Sequence, residues 1–357
     1  MTDLPTLADA WQLRRDGQLE AARALATTIA QRDPANLGAL RLLAALAMQA
    51  GDPSTAVEHL ALAVQQPDPA ADLLTELGAA QLASGDPSTA LASFRRALDQ
   101  RPRDATALRG LAQSHQLLGN PAEALAAFQA ALAILPYDKY AAHMVAALSG
   151  DNPSASASYI ADLFDTYAES FDSHLTGTLR YRTPAYIRDL LAHYAPTSLL
   201  DLGCGTGLVG AALGDRIATM DGVDISAQMI RKARERDIYR HLRTGEAVAL
   251  LATDPDLAGP YDLVAAGDVF VYLGDLAPIF AATAKVLAPE GLFVFSVETA
   301  DSENFTLRTS GRFAHSPQYI AYLAEAHGFL LLEQQQMTLR EERNQPVLGT
   351  LYLLRRP

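Results

Sequence analysis

The apolar positions follow two different patterns on either side of residue 150. Up to residue 138 they recur at three- and four-residue spacing, in helical blocks broken by glycine-containing turns. The blocks repeat at a period of about 34 residues. In the stretch Ala71 to Asp104, Leu74, Leu77 and Gly78 fall on a first helix and Gly85-Asp86-Pro87 makes the turn. Ala90, Phe94 and Ala97 fall on a second helix, which Pro102 closes. The stretch from Ala105 repeats this with Leu108, Leu111, Ala112, Gly119, Ala124, Phe128, Ala131 and Pro136. The stretch from Leu37 does so with Leu40, Leu43, Ala44, Gly51, Ala56, Leu60 and Ala63, and the first, from Asp3, with Gly17, Ala22, Ala26, Ile29 and Pro34. Small residues at these points let two helices approach closely. No unit can bury its own apolar face, so the units must stack. A further helix, about Lys139 to Leu148, caps the stack.

Beyond Ile160 short apolar runs alternate with amphipathic stretches. Strands are predicted at Ser198–Leu202, Thr219–Val223, Tyr261–Ala265 and Gly291–Ser296. Helices are predicted at Leu208–Asp215, Ala227–Arg236, Leu276–Leu287 and Pro317–His327. The last two runs, Phe329–Met337 and Val347–Leu354, have no helix between them and read as an antiparallel hairpin. Such alternation predicts an α/β sheet with helices on both faces and a ligand at the carboxyl ends of its strands. Between the halves, Ser149 to Ser158 is rich in turn residues and lacks apolar period, so it reads as a linker. The expected organisation is a helical repeat domain over 1–148, a linker over 149–158 and an α/β domain over 159–357.

Composition narrows the chemistry. The 357 residues are 49% apolar and carry a net charge of −13, and neither half is basic. Wrapping of nucleic-acid phosphates, which needs clustered Lys and Arg, is therefore not expected. Cys204 is the only cysteine, which excludes an internal disulfide and a cysteine-based zinc site. The histidines are scattered, and no metal cluster is expected. The first residues lack a basic stretch followed by an apolar one, and no run reaches membrane-spanning length, so a cytoplasmic protein without a membrane span is expected.

The most informative stretch is Leu199 to Gly210, Leu-Leu-Asp-Leu-Gly-Cys-Gly-Thr-Gly-Leu-Val-Gly. A strand runs into a glycine-rich turn that opens a helix, and glycines let backbone pass close beneath a ligand. Residues 205–210 formally fit the dinucleotide pattern GxGxxG, a weak signal alone. Asp201 ahead of the first glycine would oppose a pyrophosphate. The terminal hairpin also replaces a second mononucleotide half. With Asp224 following 23 positions after Asp201, these residues resemble class I S-adenosylmethionine-dependent methyltransferases. The first half resembles the tetratricopeptide repeat family. Phe171-Asp-Ser-His-Leu175, Tyr181-Arg-Thr-Pro184 and Asp268 to Leu276 extend the likeness to bacterial methyltransferases that carry amino-terminal repeats of this kind.

That resemblance implies a two-domain fold: an all-α solenoid followed by a Rossmann-like domain with a mixed sheet. It implies S-adenosylmethionine as cofactor and S-adenosylhomocysteine as product. Gly203, Cys204, Gly205 and Gly207 would hold the amino-acid portion of the cofactor, Asp201 its ammonium, and Asp224 with Ile225 its ribose. Glu246 would face the adenine amine, and Asp268 with Val269 would lie under the sulfonium. Tyr181 and Arg182 would fold over the cofactor, with Arg182 pairing its carboxylate. Tyr159, Phe164, Tyr167 and Phe171 form an aromatic stripe that reads either as a lid or as plain helix packing. His315 and His174 are candidate general bases, because an ordinary imidazole titrates in the useful range. Tyr272 is a candidate acceptor contact, and Arg308 and Arg312 are candidate ligands for an acidic group. Trp11, Arg14, Arg41, Arg109, Gln113 and Gln116 are groove candidates on the repeats. The expected partner is a protein, peptide or carrier-bound substrate, and a homo-oligomer is compatible with the repeats. A small-molecule methyltransferase and a catalytically silent cofactor-binding scaffold remain open alternatives.

Overall fold

Helix starts in the amino-terminal half are capped in a recurring way. Thr6 accepts the Asp9 amide at 3.3 Å while Asp9 accepts the Thr6 amide at 2.7 Å, a reciprocal cap for α1 (Leu7–Arg15). Asp52 and Asp86 accept the amides of Thr55 and Thr89, each at 3.1 Å, ahead of helices that begin at Pro53 and Pro87. The computed structural model describes residues 6–65, 68–149, 157–308, 310–342 and 345–357. Most of the expected linker, residues 150–156, and residues 3–5 of the first repeat lie outside these. The chain divides into two units, Met1–Leu148 and Ser149–Pro357.

In the first unit α1 pairs with α2 (Leu19–Arg32), α3 (Leu37–Gln49) with α4 (Pro53–Ala63), α5 (Ala71–Ala83) with α6 (Pro87–Gln100), and α7 (Ala105–Leu117) with α8 (Pro121–Ile134). The helix α9 (Lys139–Ser149) follows. Gly17, Gly51, Gly85 and Gly119, each 34 residues from the next, turn the chain between paired helices with φ of 75° to 86°. A side chain rarely adopts that conformation, which is why glycine recurs there. The small residues act as the sequence pattern requires. Phe94, fully buried, is wedged between Gly78 of α5 and Gly110 of α7. A Cβ on Gly78 would lie 2.8 Å from that ring, and one on Gly110 would lie 2.2 Å from it. Trp11 is half-buried in a cluster with Leu42, Leu43 and Leu46 of the next pair, and the Arg14 guanidinium lies 5.4 Å over its ring. Two of the expected groove arginines are tied across helices, Arg41 to Glu76 and Arg109 to Asp138.

The second unit opens with α10 (Ala157–Tyr167), the short α11 (Phe171–Ser173) continued by a wide turn over His174–Thr178, and α12 (Thr183–Leu190). Its sheet runs β3 (His241–Thr244), β2 (Thr219–Asp224), β1 (Ser198–Leu202), β4 (Tyr261–Ala266), β5 (Leu287–Thr299), all parallel. Along its other edge β5 pairs antiparallel with β9 (Gln345–Arg355), which pairs antiparallel with β8 (Leu330–Glu342). The sheet is therefore mixed, and the two carboxy-terminal runs form the expected hairpin. Strand residues alternate between two cores. Leu200, Val264, Phe293 and Phe295 face one core with α16 (Ala277–Val286) and α17 (Pro317–Ala326). Leu199, Leu263, Leu292 and Val294 face the other with α12 and α13 (Leu208–Leu213). The remaining helices are α14 (Ala227–Glu235) and α15 (Ala247–Thr253).

Three local expectations need correction. The strand β3 and the helix α15 were not visible as separate runs, because β3 has only four residues and α15 only seven, too few to show a period. The aromatic stripe does not lie on one helix: α10 stops at Tyr167, and Phe171 begins α11. Arg308 to Ser316, which carries the candidates Arg308, Arg312 and His315 and for which no strand was expected, is partly strand. It contains β7 (Phe313–His315), which pairs with β6 (Phe305–Leu307) and continues the β4 edge of β5 through Glu298↔Ala314 and Thr299↔His315.

The Phe94 wedge generates a direct expectation. Gly110→Ala should lower the stability of the repeats by about 1–3 kcal/mol through overpacking. Urea unfolding followed by circular dichroism would read this, and adding Phe94→Leu should recover part of the loss.

Candidate functional site

The site grows from the end of β1. After Leu202 the chain turns through Gly203, Gly205 and Gly207, with φ of 60°, 55° and 89°. A Cβ on Gly203 would lie 2.5 Å from a methyl of Val269, so only glycine lets the loop after β4 approach this turn. The Cys204 amide donates to the Val223 carbonyl at 2.9 Å, and the Gly205 amide to the Asp224 carboxylate at 2.8 Å. The other Asp224 oxygen accepts the Ser226 amide at 2.8 Å. The Gly245 amide donates to the Asp224 carbonyl at 2.9 Å, which brings exposed Glu246 beside the end of β2.

Two carboxylates are buried here. Burial raises the Asp224 pKa to about 6, against the amides that stabilise its charge. Asp201 is 1% exposed; burial raises its pKa to about 7, against a 2.6 Å hydrogen bond from the Tyr239 hydroxyl. Its Oδ1 has no hydrogen-bond partner among the described residues. A pair of buried acids at the ends of adjacent strands is poorly suited to a pyrophosphate and well suited to a ligand carrying positive charge and hydroxyls.

A strap of residues 157–178 is tied to α14 and the glycine turn by three acids at helical spacing. Asp165 accepts the Ser226 hydroxyl at 2.5 Å and the Gln228 amide at 3.1 Å. Glu169 pairs with Lys232 at 2.8 Å and also with Arg231. Asp172 accepts from Arg236 at 2.6 Å and from the Thr206 hydroxyl, and Arg236 in turn donates to the Thr206 carbonyl at 2.6 Å. These bonds set Phe171 3.7 Å from where a Cβ on Gly205 would point. Phe164 meets Phe171 and Tyr272 edge-on, with ring centres 6.1 and 5.4 Å apart.

Next to Tyr272 lies an ionic network. Arg340 of β8, 3% exposed, donates from one nitrogen to both Asp268 oxygens at 2.9 Å, from Nε to Glu342 at 2.7 Å, and to buried Glu298. Arg308 lies 3.4 Å from Glu298, and Arg312 pairs with Glu342 beside Tyr272. Asp268 has a φ of 61°, and its amide donates to the Ser296 hydroxyl at 2.8 Å. Nearby carboxylates hold the Arg340 pKa above its already high ordinary value despite the opposing effect of burial.

Residues 200–293 match a family model described as a methyltransferase domain, and residues 75–139 match one described as a tetratricopeptide repeat. The chain joins tetratricopeptide repeats to a methyltransferase domain. It is 36% identical over 104 residues to a malonyl-[acyl-carrier protein] O-methyltransferase of Geobacter sulfurreducens, covering 29% of this chain and 39% of that protein. It is 28% identical over 125 residues to a ubiquinone biosynthesis O-methyltransferase of Thiobacillus denitrificans, covering 34% of this chain and 53% of that one. The chain thus spans about two fifths to half of the length of these relatives. Among solved structures, the N-methyltransferase NodS of Bradyrhizobium japonicum aligns at 22% identity over 49% of this chain and 86% of that one, with a TM-score of 0.41.

The methyltransferase domain gathers Gly203, Cys204, Gly205, Gly207, Asp224, Ile225, Asp268, Val269 and Tyr272 at the carboxyl ends of β1, β2 and β4. The Tyr181 hydroxyl reaches the same end, 3.1 Å from a Cβ position on Gly267. Two expectations change. His315 is fully buried on β7, and its Nε2–H donates to the Gly274 carbonyl at 3.0 Å. Burial lowers its pKa to about 4, so it is a core residue rather than a base over the site. Arg182 is exposed with its guanidinium 5.5 Å over the Tyr186 ring, not directed at a carboxylate. Asp268 is engaged by Arg340, and one oxygen of Asp201 by Tyr239, contacts that the sequence did not announce. His174 sits in the strap, where Nδ1 bonds the Tyr167 hydroxyl. Asp165, Glu169, Asp172, Arg236, Tyr239, Glu298, Arg340 and Glu342 were not anticipated. Only the strap acids carried a readable signal, Asp165, Glu169 and Asp172 recurring at four- and three-residue spacing.

Two outcomes are expected. Arg340→Met leaves three acids without their shared cation and should cost about 3–5 kcal/mol in denaturant unfolding. The second concerns pH. An unfolded aspartate titrates at about 3.9, whereas folded Asp201 titrates at about 7. Between those values the folded chain binds the extra proton, so this group's contribution to stability falls as pH rises and is flat above the folded pKa. Asp201→Asn should therefore flatten the decline of melting temperature across that window. Parallel curves for the two chains would contradict the assignment.

Proposed function

We propose that the second unit transfers a methyl group from S-adenosylmethionine to oxygen or nitrogen, releasing S-adenosylhomocysteine. The observation that carries this is the glycine turn with buried Asp201 and Asp224 beside it. The turn lies where the strand order reverses, between β1 and β4, a place where α/β sheets bind ligands. An orphaned carboxylate oxygen at Asp201 and the buried acid Asp224 fit a cationic nucleoside-type ligand better than an anionic one. The bound cofactor would supply a methyl group already activated on a sulfonium.

The residues of this chain then have distinct tasks. Asp224 can accept from ribose hydroxyls while keeping its amide bonds, since a carboxylate has about four lone-pair sites. Gly203 to Gly207 present backbone to the amino-acid portion, and Asp201 lies beneath it as a counter-charge. Glu246 serves the adenine side, and Val269 closes against Gly203. Phe164, Tyr167 and Phe171 exclude water and orient the acceptor, which is most of what an in-line displacement needs from a protein.

For the repeats, we infer recruitment of a protein, peptide or carrier-bound substrate within the cytoplasm. Paired helices of this kind present extended binding surfaces, and a relative named for an acyl-carrier-protein substrate supports the carrier-bound form. Among the described residues no helix is long and apolar enough to cross a membrane.

Calorimetry with S-adenosylhomocysteine tests the donor side. Asp224→Ala removes two or more charge-assisted hydrogen bonds and should weaken binding about 100-fold. Gly203→Val should abolish binding, with the helical circular dichroism of the repeats retained. Absence of binding by the unaltered chain, or equal binding by both variants, would overturn the proposal. Full transfer of labelled methyl to an extract by a chain lacking residues 1–150 would instead remove the recruiting role of the repeats.

A further inference from the structure

The strap holds a tyrosine and a histidine in direct hydrogen-bond contact. Tyr167 ends α10, and its phenol oxygen is hydrogen-bonded to Nδ1 of His174, with the two rings edge-on at 5.5 Å. A phenol that donates to Nδ1 goes with a neutral ring protonated on Nε2. Both side chains are half-buried. Tyr167 packs edge-on against Phe171 at 5.2 Å, and Phe171 lies over Gly205. Phe164 bridges Phe171 to Tyr272. The pair therefore sits on the part of the strap nearest the carboxyl ends of β1 and β4.

The charges nearby bear on which acceptor suits this pair. Arg308, Arg312 and Arg340 each meet a carboxylate among Asp268, Glu298 and Glu342. Three cations face three anions, which leaves no surplus positive charge in that group to hold an anionic acceptor. A carboxylate acceptor would also arrive without a proton and gain nothing from a base. A hydroxyl acceptor needs its proton removed as it attacks.

We propose that Tyr167 and His174 form a proton relay for an acceptor hydroxyl. This rests on methyl transfer taking place at the site. The acceptor oxygen forms its bond to the methyl carbon as the carbon–sulfur bond breaks and the electron pair returns to sulfur. The hydroxyl proton passes to the Tyr167 oxygen while the phenol proton passes to His174 Nδ1. The resulting imidazolium releases a proton to solvent and resets the pair. Tyr167 touches the acceptor, and His174 acts through it.

The first test needs no acceptor. Nitrogen-15 NMR of the free full-length chain should show a His174 ring protonated on Nε2, with an Nδ1 signal that shifts in Tyr167→Phe. A proton on Nδ1 in the neutral ring would overturn the relay. The second uses labelled S-adenosylmethionine with two probes, catechol for a hydroxyl and malonyl-pantetheine for a carboxylate. Label should enter catechol, and Tyr167→Phe and His174→Gln should each lower kcat tenfold or more. Their KM for catechol and affinity for S-adenosylhomocysteine should change less than threefold. Transfer to the malonyl carboxylate as an alkali-labile ester, or catechol methylation unaffected by both variants, would overturn the proposal. Failure of the unaltered chain to bind S-adenosylhomocysteine would remove the methyl-transfer reading itself, a result distinguishable from either.

Discussion

The hydrogen bond from the Gly205 amide to the Asp224 carboxylate holds the candidate site together. It joins the turn after β1 to the end of β2, and the other Asp224 oxygen holds the start of the chain leading to α14 through Ser226. One acid thus fixes two strand ends and the approach to a helix. The cost is a nearly buried carboxylate, with a second, Asp201, close by. Backbone amides offset part of that desolvation at Asp224, and a phenol does so at Asp201. The strap, the loop after β4 and Glu246 all take their positions from this frame. They are attached through Thr206, Gly203 and Gly245, residues of the turn or direct neighbours of Asp224.

Legibility followed the range of the interactions. The repeats could be read because each turn needs a glycine at positive φ, so Gly17, Gly51, Gly85 and Gly119 mark the period without any knowledge of packing. The strand–turn–helix at Leu199 to Gly210 is local as well. Arg340 was not readable. It stands far along the chain from Asp268 and Glu298, and only the pairing of β8 with β9 and of β9 with β5 brings it between them. His315 failed for a related reason. A histidine flanked by Gly311 and Ser316 reads as a loop residue, until two residues of strand pairing with β5 turn it into the core. The strap lay between these cases. Its aromatic residues were apparent, but the break after Tyr167 and the attachment of Asp172 to Thr206 depend on contacts across the fold.

The two ends of the site are built from opposite materials. Around the glycine turn the chain presents backbone and buried acids, with few side chains that reach outward. Around Asp268 and Tyr272 it presents arginines, carboxylates and aromatic rings, supplied by β5, β8, the β6–β7 hairpin and the strap. The first half tolerates little variation, because backbone geometry and close approach set it. The second half is assembled from side chains on several separate elements, and so it is the half where a change of acceptor is accommodated with least disturbance to the sheet.

Phe94 has a consequence that reaches beyond packing. Its ring is shared by Gly78 in its own helix pair and Gly110 in the next, so neither pair can open without exposing the same side chain. In a stacked array, stability is a sum of local and nearest-neighbour contributions, and a shared ring strengthens one neighbour contribution in particular. The array should therefore fray unevenly: the segment spanning α5 to α7 opens as one cooperative block, while α1 and α2 exchange their amides with solvent on their own.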